Sequence, residues 1–367
     1  MKVLHFITRF NAGGTSSFLH NLLKAQEEPW EHLVVFGKTN YPEFEDVRIL
    51  DLPHIRLRSA EKSFNPFLAT KTFFEIRRII RSEQPDVVNT HTSHAGLLAR
   101  LAVRSISKTN RPIAIHTIHG HLLYGYFSSF EQKIYVVVER SLSFITDGFI
   151  VPGSIMYQEL KKSKIISATK PTVVVNPPIE IQSPFQVKNI TEKSNRRLKI
   201  GWMGRITKIK RVDRILELAL VTPELDFFLA GSVQGQELGA IPKNLKIFPW
   251  SDPIEFWKDL DVAILTSENE AQPLMLLEAA SFGIPAVTTA VGSTQDAVIN
   301  QETGIALPWN LNVFRNALLK LRDDPIFLED LGKNAFNRVN RDYSPKTVIH
   351  AHQVFYCQLL RKRPYSI

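Results

Sequence analysis

A chain of 367 residues with 44% hydrophobic and 22% charged side chains has the composition of a soluble globular protein and suits about two domains of roughly 100–200 residues each. The net charge of +9 suits an anionic membrane surface or nucleic acid, but no zinc-finger spacing, RRM signature or basic heptad region is present, which argues against nucleic acid. A lone cysteine, Cys357, excludes an internal disulfide and fits a reducing, cytoplasmic compartment, while no apolar run reaches the roughly 20 residues of a membrane span.

The amino terminus, MKVLHFITRFNAGG, has one lysine and no sustained apolar core, so it reads as a strand and not as a signal peptide. Strand-like runs then alternate with helix-length segments: VLHFIT with SSFLHNLLKA, LVVF, IRLRS with FLATKTFFEIRRIIR, DVVNTH with AGLLARLAVRSI, IAIHTIH with QKIYVVVERSLSF, DGFIVPG with SIMYQELKK, and finally TVVVNP. Continuous Val/Ile-rich runs joined by helices predict a parallel sheet covered on both faces. Gly13-Gly14 falls between the first strand and a helix opened by Thr15-Ser16-Ser17. Glycines there let a ligand approach the backbone and an anion sit at the helix start, or they simply make a tight turn. The three spaced glycines of a dinucleotide fingerprint are missing, which argues against NAD.

Three histidines, His116, His119 and His121, end the strand in IHTIHGH, and His91 and His94 follow the one before it. No Cys, Asp or Glu cluster accompanies them, so zinc is disfavoured. One functional histidine at a strand end and satisfied buried histidines are the two readings left open. Residues 1–180 hold 22 Lys+Arg against 16 Asp+Glu, a net of +6, and residues 48–111 hold 12 against 5. This half is expected to present a basic face, unless these are ordinary solvated helix surfaces.

The segment 177–197, PPIEIQSPFQVKNITEKSNRR, breaks the rhythm and marks a domain boundary. The expected domains are 1–180 and 181–344, with the closing helix 345–367 packing back on the first. In the second half KIGWMG is followed by VDRILELAL, DFFLAG, LKIFPW, IEFWKDL, VAILTS, LMLLEAASFG, AVTTA, QDAV and GIALP, then by helices near 311–322, 326–340 and 345–362. Lys362 and Arg363 at the end of the last helix suit its dipole. Two doubly wound domains with parallel sheets facing a central cleft would hold a ligand at the carboxyl ends of their strands.

Two motifs of the second half carry charge to such a place. GRITKIKR, residues 204–211, puts Arg205 and Lys210 in a strand-to-helix loop, where a guanidinium fork and an ammonium can neutralise a diphosphate together. ENEAQPLMLLE, residues 268–278, places Glu270 and Glu278 eight positions apart, about 12 Å and 80° on a continuous helix. Pro273 predicts instead that helix begins near Leu274, with Glu270 in the loop before it and Glu278 a turn or more inside.

Taken with NAGGTSSFLHNLL, HTSHAGLLARLA, HTIHGHLLYGYFS and SENEAQPLMLLEAASFGIPAVTTAVGS, these motifs resemble, in order and across nearly the whole chain, the retaining glycosyltransferases of the large bacterial family 4, with the GT-B fold. The resemblance implies that Arg205 and Lys210 bind the diphosphate of a sugar nucleotide, that Glu278 accepts hydrogen bonds from the ribose, and that Glu270 lies beside the donor sugar. His119 matches the family histidine near the transferring sugar, Gly14 matches a glycine giving the donor phosphates or acceptor close access to backbone N–H groups, and Phe248 to Trp250 correspond to where the family holds the base. Where the family has glycine after the first glutamate, this chain has Ala271-Gln272, and LAGSVQGQE lacks the usual glycine-proline pattern. The implied activity is transfer of a hexosyl or N-acetylhexosaminyl unit from a UDP-sugar to a polyprenyl-linked or growing surface glycan. No metal or other cofactor is implied, and the basic first domain would rest on an anionic membrane. The altered ENEAQP loop leaves a second reading, a non-catalytic sugar-nucleotide-binding subunit of another transferase.

Overall fold

The computed structural model describes residues 1–11, 13–38, 45–59, 65–120, 128–181, 197–232 and 238–362. His121 and Arg363, together with residues 233–237 of the LAGSVQGQE stretch, lie outside the described residues. Contacts divide the chain into two compact units, one comprising Met1–Gly120, Ser129–Pro178 and Pro345–Ile367, the other built on Ile179–Ser344.

The first unit runs β1 (Lys2–Ile7), α1 (Gly14–Lys24), β2 (Glu31–Phe36), β3 (His54–Arg56), α2 (Pro66–Glu83), β4 (Val87–Thr90), α3 (Ser93–Arg104), β5 (Ile113–Thr117), α4 (Ser129–Ser143), β6 (Gly148–Val151), α5 (Ser154–Lys162) and β7 (Thr172–Val174). Its seven strands are all parallel, in the order β3-β2-β1-β4-β5-β6-β7. The alternating side chains of one strand feed two cores. Val3 and Ile7 join Phe18, Leu19 and Leu22 of α1 on one face, while Leu4 and Phe6 meet Ile76 of α2 and Ala99 of α3 on the other. Helix ends follow local chemistry: Asn65 accepts from the N–H groups of Phe67 and Leu68 with Pro66 at the first position, and Gln84 stops α2 in the left-handed region.

The second unit runs β8 (Lys199–Met203), α6 (Val212–Val221), β9 (Asp226–Ala230), β10 (Leu245–Phe248), α7 (Pro253–Trp257), β11 (Val262–Leu265), α8 (Leu274–Ala280), β12 (Ala286–Thr289), α9 (Thr294–Ala297), β13 (Gly304–Leu307), α10 (Leu311–Asp323) and α11 (Pro325–Asp342). Six parallel strands stand in the order β10-β9-β8-β11-β12-β13. Both sheets are therefore doubly wound. Their order reverses between β1 and β4 in the first and between β8 and β11 in the second, the places where such sheets open a crevice at their carboxyl ends.

The chain then returns to the first unit as α12 (Pro345–Arg361), which lies on α1 and buries Val348, Ile349, Phe355 and Tyr356 in its core. Gly148 of β6 makes room for it, since a Cβ there would meet the Phe355 ring at 2.8 Å and Leu359 at 2.9 Å. Tyr356 receives a hydrogen bond from the Asn89 amide at 2.9 Å. Among the described residues no helix is long and apolar enough to cross a membrane.

Candidate active site

In the second unit the site is built where the sheet order reverses. After β8 the chain passes through Gly204 and Arg205 into a tight helical turn, Lys208–Lys210. Backbone bonds tie this loop to the end of β9: Gly204 N–H donates to Ala230 O at 3.0 Å and Ile206 N–H to Ser232 O at 2.9 Å. A Cβ on Gly231 would lie 1.8 Å from the Gly204 carbonyl oxygen. The glycine of LAGS is what lets the two loops lie against each other, a backbone role separate from base recognition.

The loop after β11 is laced to the same segment. Glu268 N–H donates to Ile209 O at 2.9 Å, the Thr266 hydroxyl to Arg211 O at 2.9 Å, and Arg214 Nη1 to Thr266 O at 2.9 Å. Arg211 holds both Asp213 and Glu268. This lacing brings two of the expected residues together: Lys210 Nζ donates to Glu270 Oε1 at 2.6 Å, and the Ser267 hydroxyl donates to the same oxygen at 2.6 Å. Glu270 is 5% exposed. Burying a carboxylate this deeply is costly unless it is paired and hydrogen-bonded, and here it is both. Lys210 therefore serves an internal acid as well as any incoming phosphate.

Glu270 is also held through its main chain. Ser293 N–H donates to Glu270 O at 2.9 Å. Gly292, at φ +49°, comes so near that a Cβ would lie 2.1 Å from that oxygen and 2.6 Å from Asn269 Oδ1. Ser267 and the Gly292-Ser293 pair were not singled out from the sequence. The signals were present, a serine at the end of an apolar strand three residues before the glutamate and a Gly-Ser following AVTTAV.

Helix α8 begins at Leu274 with Pro273 as its cap residue, so Glu270 lies in the preceding loop and Glu278, half-buried, in the second turn, as the proline predicts. Ala271 is half-buried and Gln272 buried in the bend between them. Arg205 is exposed and makes no hydrogen bond or ion pair with any described residue. Phe248 and Trp250, at the end of β10, are exposed, and the Phe248 ring is stacked against Phe228.

In the first unit the histidines divide between the two open readings. His116 is a buried, satisfied residue whose Nδ1 lies 2.7 Å from the Thr90 hydroxyl, beneath Gly96. His119, two residues past β5 and partly exposed, is the end of a chain. His32 Nδ1 lies 2.9 Å from His5 Nε2, His5 Nδ1 2.9 Å from His91 Nε2, and His91 Nδ1 2.8 Å from His119 Nε2. The chain climbs from β2 across β1 to the carboxyl ends of β4 and β5, under Phe18 of α1, whose ring meets His119 edge-on at 4.6 Å. Gly14 opens α1, with Gly13 as its cap residue. Among the described residues no three His, Cys, Asp or Glu side chains form a group that could hold a metal ion.

Burial holds these histidines neutral. His5 and His91 are pushed well below the usual imidazole range, His32 and His352 to about 4 and His119 to about 3, desolvation being the largest cause for each. Because the folded values lie below the unfolded one, the unfolded chain takes up more protons in acid. The stability these groups contribute is complete above about pH 6.5 and is lost as pH falls toward 4. For His32 alone the shift from 6.5 to about 4 corresponds to roughly 3 kcal/mol. Melting followed from pH 7.5 to 4.5 is expected to show a steep fall in midpoint, and His32→Asn to flatten it; an unchanged slope in the variant is the contrary result.

Two family models match the chain, one described as Glycosyltransferase Family 4 over residues 12–181 and one as Glycosyl transferases group 1 over residues 185–338. The capsular polysaccharide biosynthesis glycosyltransferase CapM of Staphylococcus aureus is 24% identical over 319 residues, covering 81% of this chain and 83% of its own. An Escherichia coli protein named UDP-Gal:alpha-D-GlcNAc-diphosphoundecaprenol alpha-1,3-galactosyltransferase is 25% identical, covering 73% and 74%. Among solved structures HepE of Anabaena, in complex with UDP and glucose, superposes with a TM-score of 0.77 at 15% identity, covering 98% of this chain and 100% of that one. The last likeness concerns the fold.

Proposed function

The chain belongs to the family 4 glycosyltransferases with the GT-B fold, its two matched domains together spanning most of its length, and from that premise we propose that it transfers a hexosyl or N-acetylhexosaminyl unit, with retention, from a UDP-sugar to a lipid-linked or growing surface glycan. One observation carries the donor side: Glu270 and Lys210 are joined at 2.6 Å at the point where the second sheet reverses its strand order. The names of the E. coli relative, which acts with UDP-Gal on a diphosphoundecaprenol acceptor, and of CapM support the substrate classes. The reading of a non-catalytic subunit is not favoured, because the relatives are named as transferases and the acid that such a subunit could spare is here built in with two hydrogen bonds.

The chemistry follows from the charges. Departure of the nucleoside diphosphate concentrates negative charge on phosphate oxygens, which Arg205, free to reach outward, and Lys210 neutralise most strongly in the transition state without a metal. The sugar becomes oxocarbenium-like, and Glu270 opposes that charge. An oxygen already accepting from Lys210 and Ser267 is oriented and damped as a nucleophile, which supports a positioning role with front-face attack by the acceptor. Glu278 takes the ribose, the bend at Ala271-Gln272 the donor, Gly14 of the first unit the donor phosphates or acceptor, and His119 the transferring sugar.

Membrane placement is supported by the first unit's outer helices. On α4, Phe130, Ile134 and Val137 form one exposed stripe at helical spacing, with Lys133 and Arg140 beside it and Phe144 just beyond. Helix α2 exposes Phe67, Phe74, Lys71 and Arg81 on the same side of the sheet, since α3 packs against both α2 and, through the buried Arg100–Glu139 pair, α4. Apolar insertion and basic side chains act together at an anionic surface. Radiolabelled UDP-sugars offered with polyprenyl-diphosphate glycans in vesicles should give labelled lipid, faster on anionic than on zwitterionic vesicles. Absence of transfer from every nucleotide sugar overturns the transferase assignment, and equal rates on both vesicles overturn the membrane placement.

A further inference from the structure

Imidazoles bonded nitrogen to nitrogen are not independent of one another. A neutral ring has one N–H and one bare nitrogen, and each link of a chain needs one of each. Choosing the donor at one link of His32–His5–His91–His119 fixes it at every other. Only two arrangements exist for neutral rings, all four protons on Nε2 or all four on Nδ1.

The two differ at their ends. With protons on Nε2, His32 would bury an N–H that has no acceptor, because its Nε2 is buried without a hydrogen-bond partner. With protons on Nδ1, only a lone pair is left there. Orphaned buried N–H groups are rarer in proteins than under-used acceptors, so the second arrangement has the lower cost. At the other end Nδ1 of His119 then carries the proton, and that atom has no partner among the described residues. Phe18 fixes the plane of the ring from the side.

We propose that the four histidines form a tautomer lock that holds His119 with its proton on Nδ1, so that the ring offers a donor to an oxygen of the glycosyl donor and His32, His5 and His91 are positioning residues for it. The lock reads no charge. It transmits, over three rings, which nitrogen of His119 is the donor, and it does so because His32, His5 and His91 are too deeply buried to take up a second proton near neutral pH. That the oxygen belongs to a glycosyl donor rests on the function proposed above, whereas the lock itself does not.

The test uses the full chain labelled with 15N-histidine and long-range proton–nitrogen correlation, which reports each nitrogen as protonated or bare. At neutral pH His119 should show Nδ1 protonated and Nε2 bare. His5→Asn keeps an amide N–H where Nδ1 stood, so donation to His91 survives; His5→Gln reaches toward His32 and leaves His91 without its donor. His5→Asn should therefore keep the single tautomer and kcat within about threefold, while His5→Gln should give a mixture and lower kcat roughly tenfold. His119 protonated on Nε2 in the unaltered protein overturns the proposal whether or not either variant folds, and so does an unmixed Nδ1–H in His5→Gln. A mixed tautomer with undiminished turnover upholds the lock and removes His119 from the sugar.

Discussion

Lys210→Ala is expected to lower both stability and turnover, because it leaves the 5% exposed Glu270 with the Ser267 hydroxyl as its remaining side-chain donor among the described residues. Removing one partner of a fully buried pair costs about 3–5 kcal/mol; with Lys210 23% exposed, a loss on the order of 2–3 kcal/mol is the better expectation. Turnover should fall by roughly a hundredfold or more, as for removal of a cation or donor aimed at developing charge. The double variant Lys210→Met with Glu270→Gln separates the two effects: stability should recover, since no charge is then buried alone, while turnover should not. Arg205→Ala gives the complementary result. Having no partner to lose among the described residues, it should melt within about 0.5 kcal/mol of the parent, yet forfeit the thermal shift induced by UDP. Recovery of turnover in the double variant, or an undiminished UDP shift in Arg205→Ala, is incompatible with the roles given to these residues.

The second large effect is expected at a position that carries no charge of its own. Gly292→Ala places a methyl group 2.1 Å from the Glu270 carbonyl oxygen and asks alanine to adopt φ +49°. The left-handed conformation alone costs about 1–2 kcal/mol, and the clash is with backbone, which cannot swing aside as a long side chain can. Relief requires the Ser293-to-Glu270 hydrogen bond to break and the glutamate to shift. A displacement of about 1 Å at a positioned group is enough to reduce turnover by about a hundredfold. Loss of kcat in Gly292→Ala with the melting point lowered and donor KM moderately changed is the predicted pattern. Activity within twofold of the parent would mean that the close approach at Gly292 does not fix the carboxylate.

Much of this was legible beforehand, for identifiable reasons. The Val- and Ile-rich runs VLHFI, DVVNT and VAILT are too short for buried helices and too continuously apolar for half-exposed strands, which left parallel sheets as the reading. Pro273 placed the start of α8 near Leu274, where it lies, because proline has so few tolerated places in a helix. Arg205 and Lys210 were named because charged residues at strand carboxyl ends stand where ligands bind in such folds, and Glu270 through its spacing in ENEAQPLMLLE and the family resemblance. What escaped was pairwise. That Lys210 meets Glu270 depends on the lacing of two loops 60 positions apart, and that Gly231 and Gly292 are required depends on which carbonyl each one faces. The four-histidine chain was likewise invisible, since His5 and His32 look like isolated polar residues in apolar strands until the strand register aligns them.

The return of α12 to the first unit has a consequence for how the protein is made. Gly148 awaits the ring of Phe355, and Asn89 awaits the hydroxyl of Tyr356, but the ribosome supplies both only after the whole second unit has been synthesised. Domains usually complete themselves in the order of their emergence. Here the unit that emerges first is finished after its successor, so until then the nascent chain carries an apolar seam along α1 that a chaperone must shield or the first unit must tolerate.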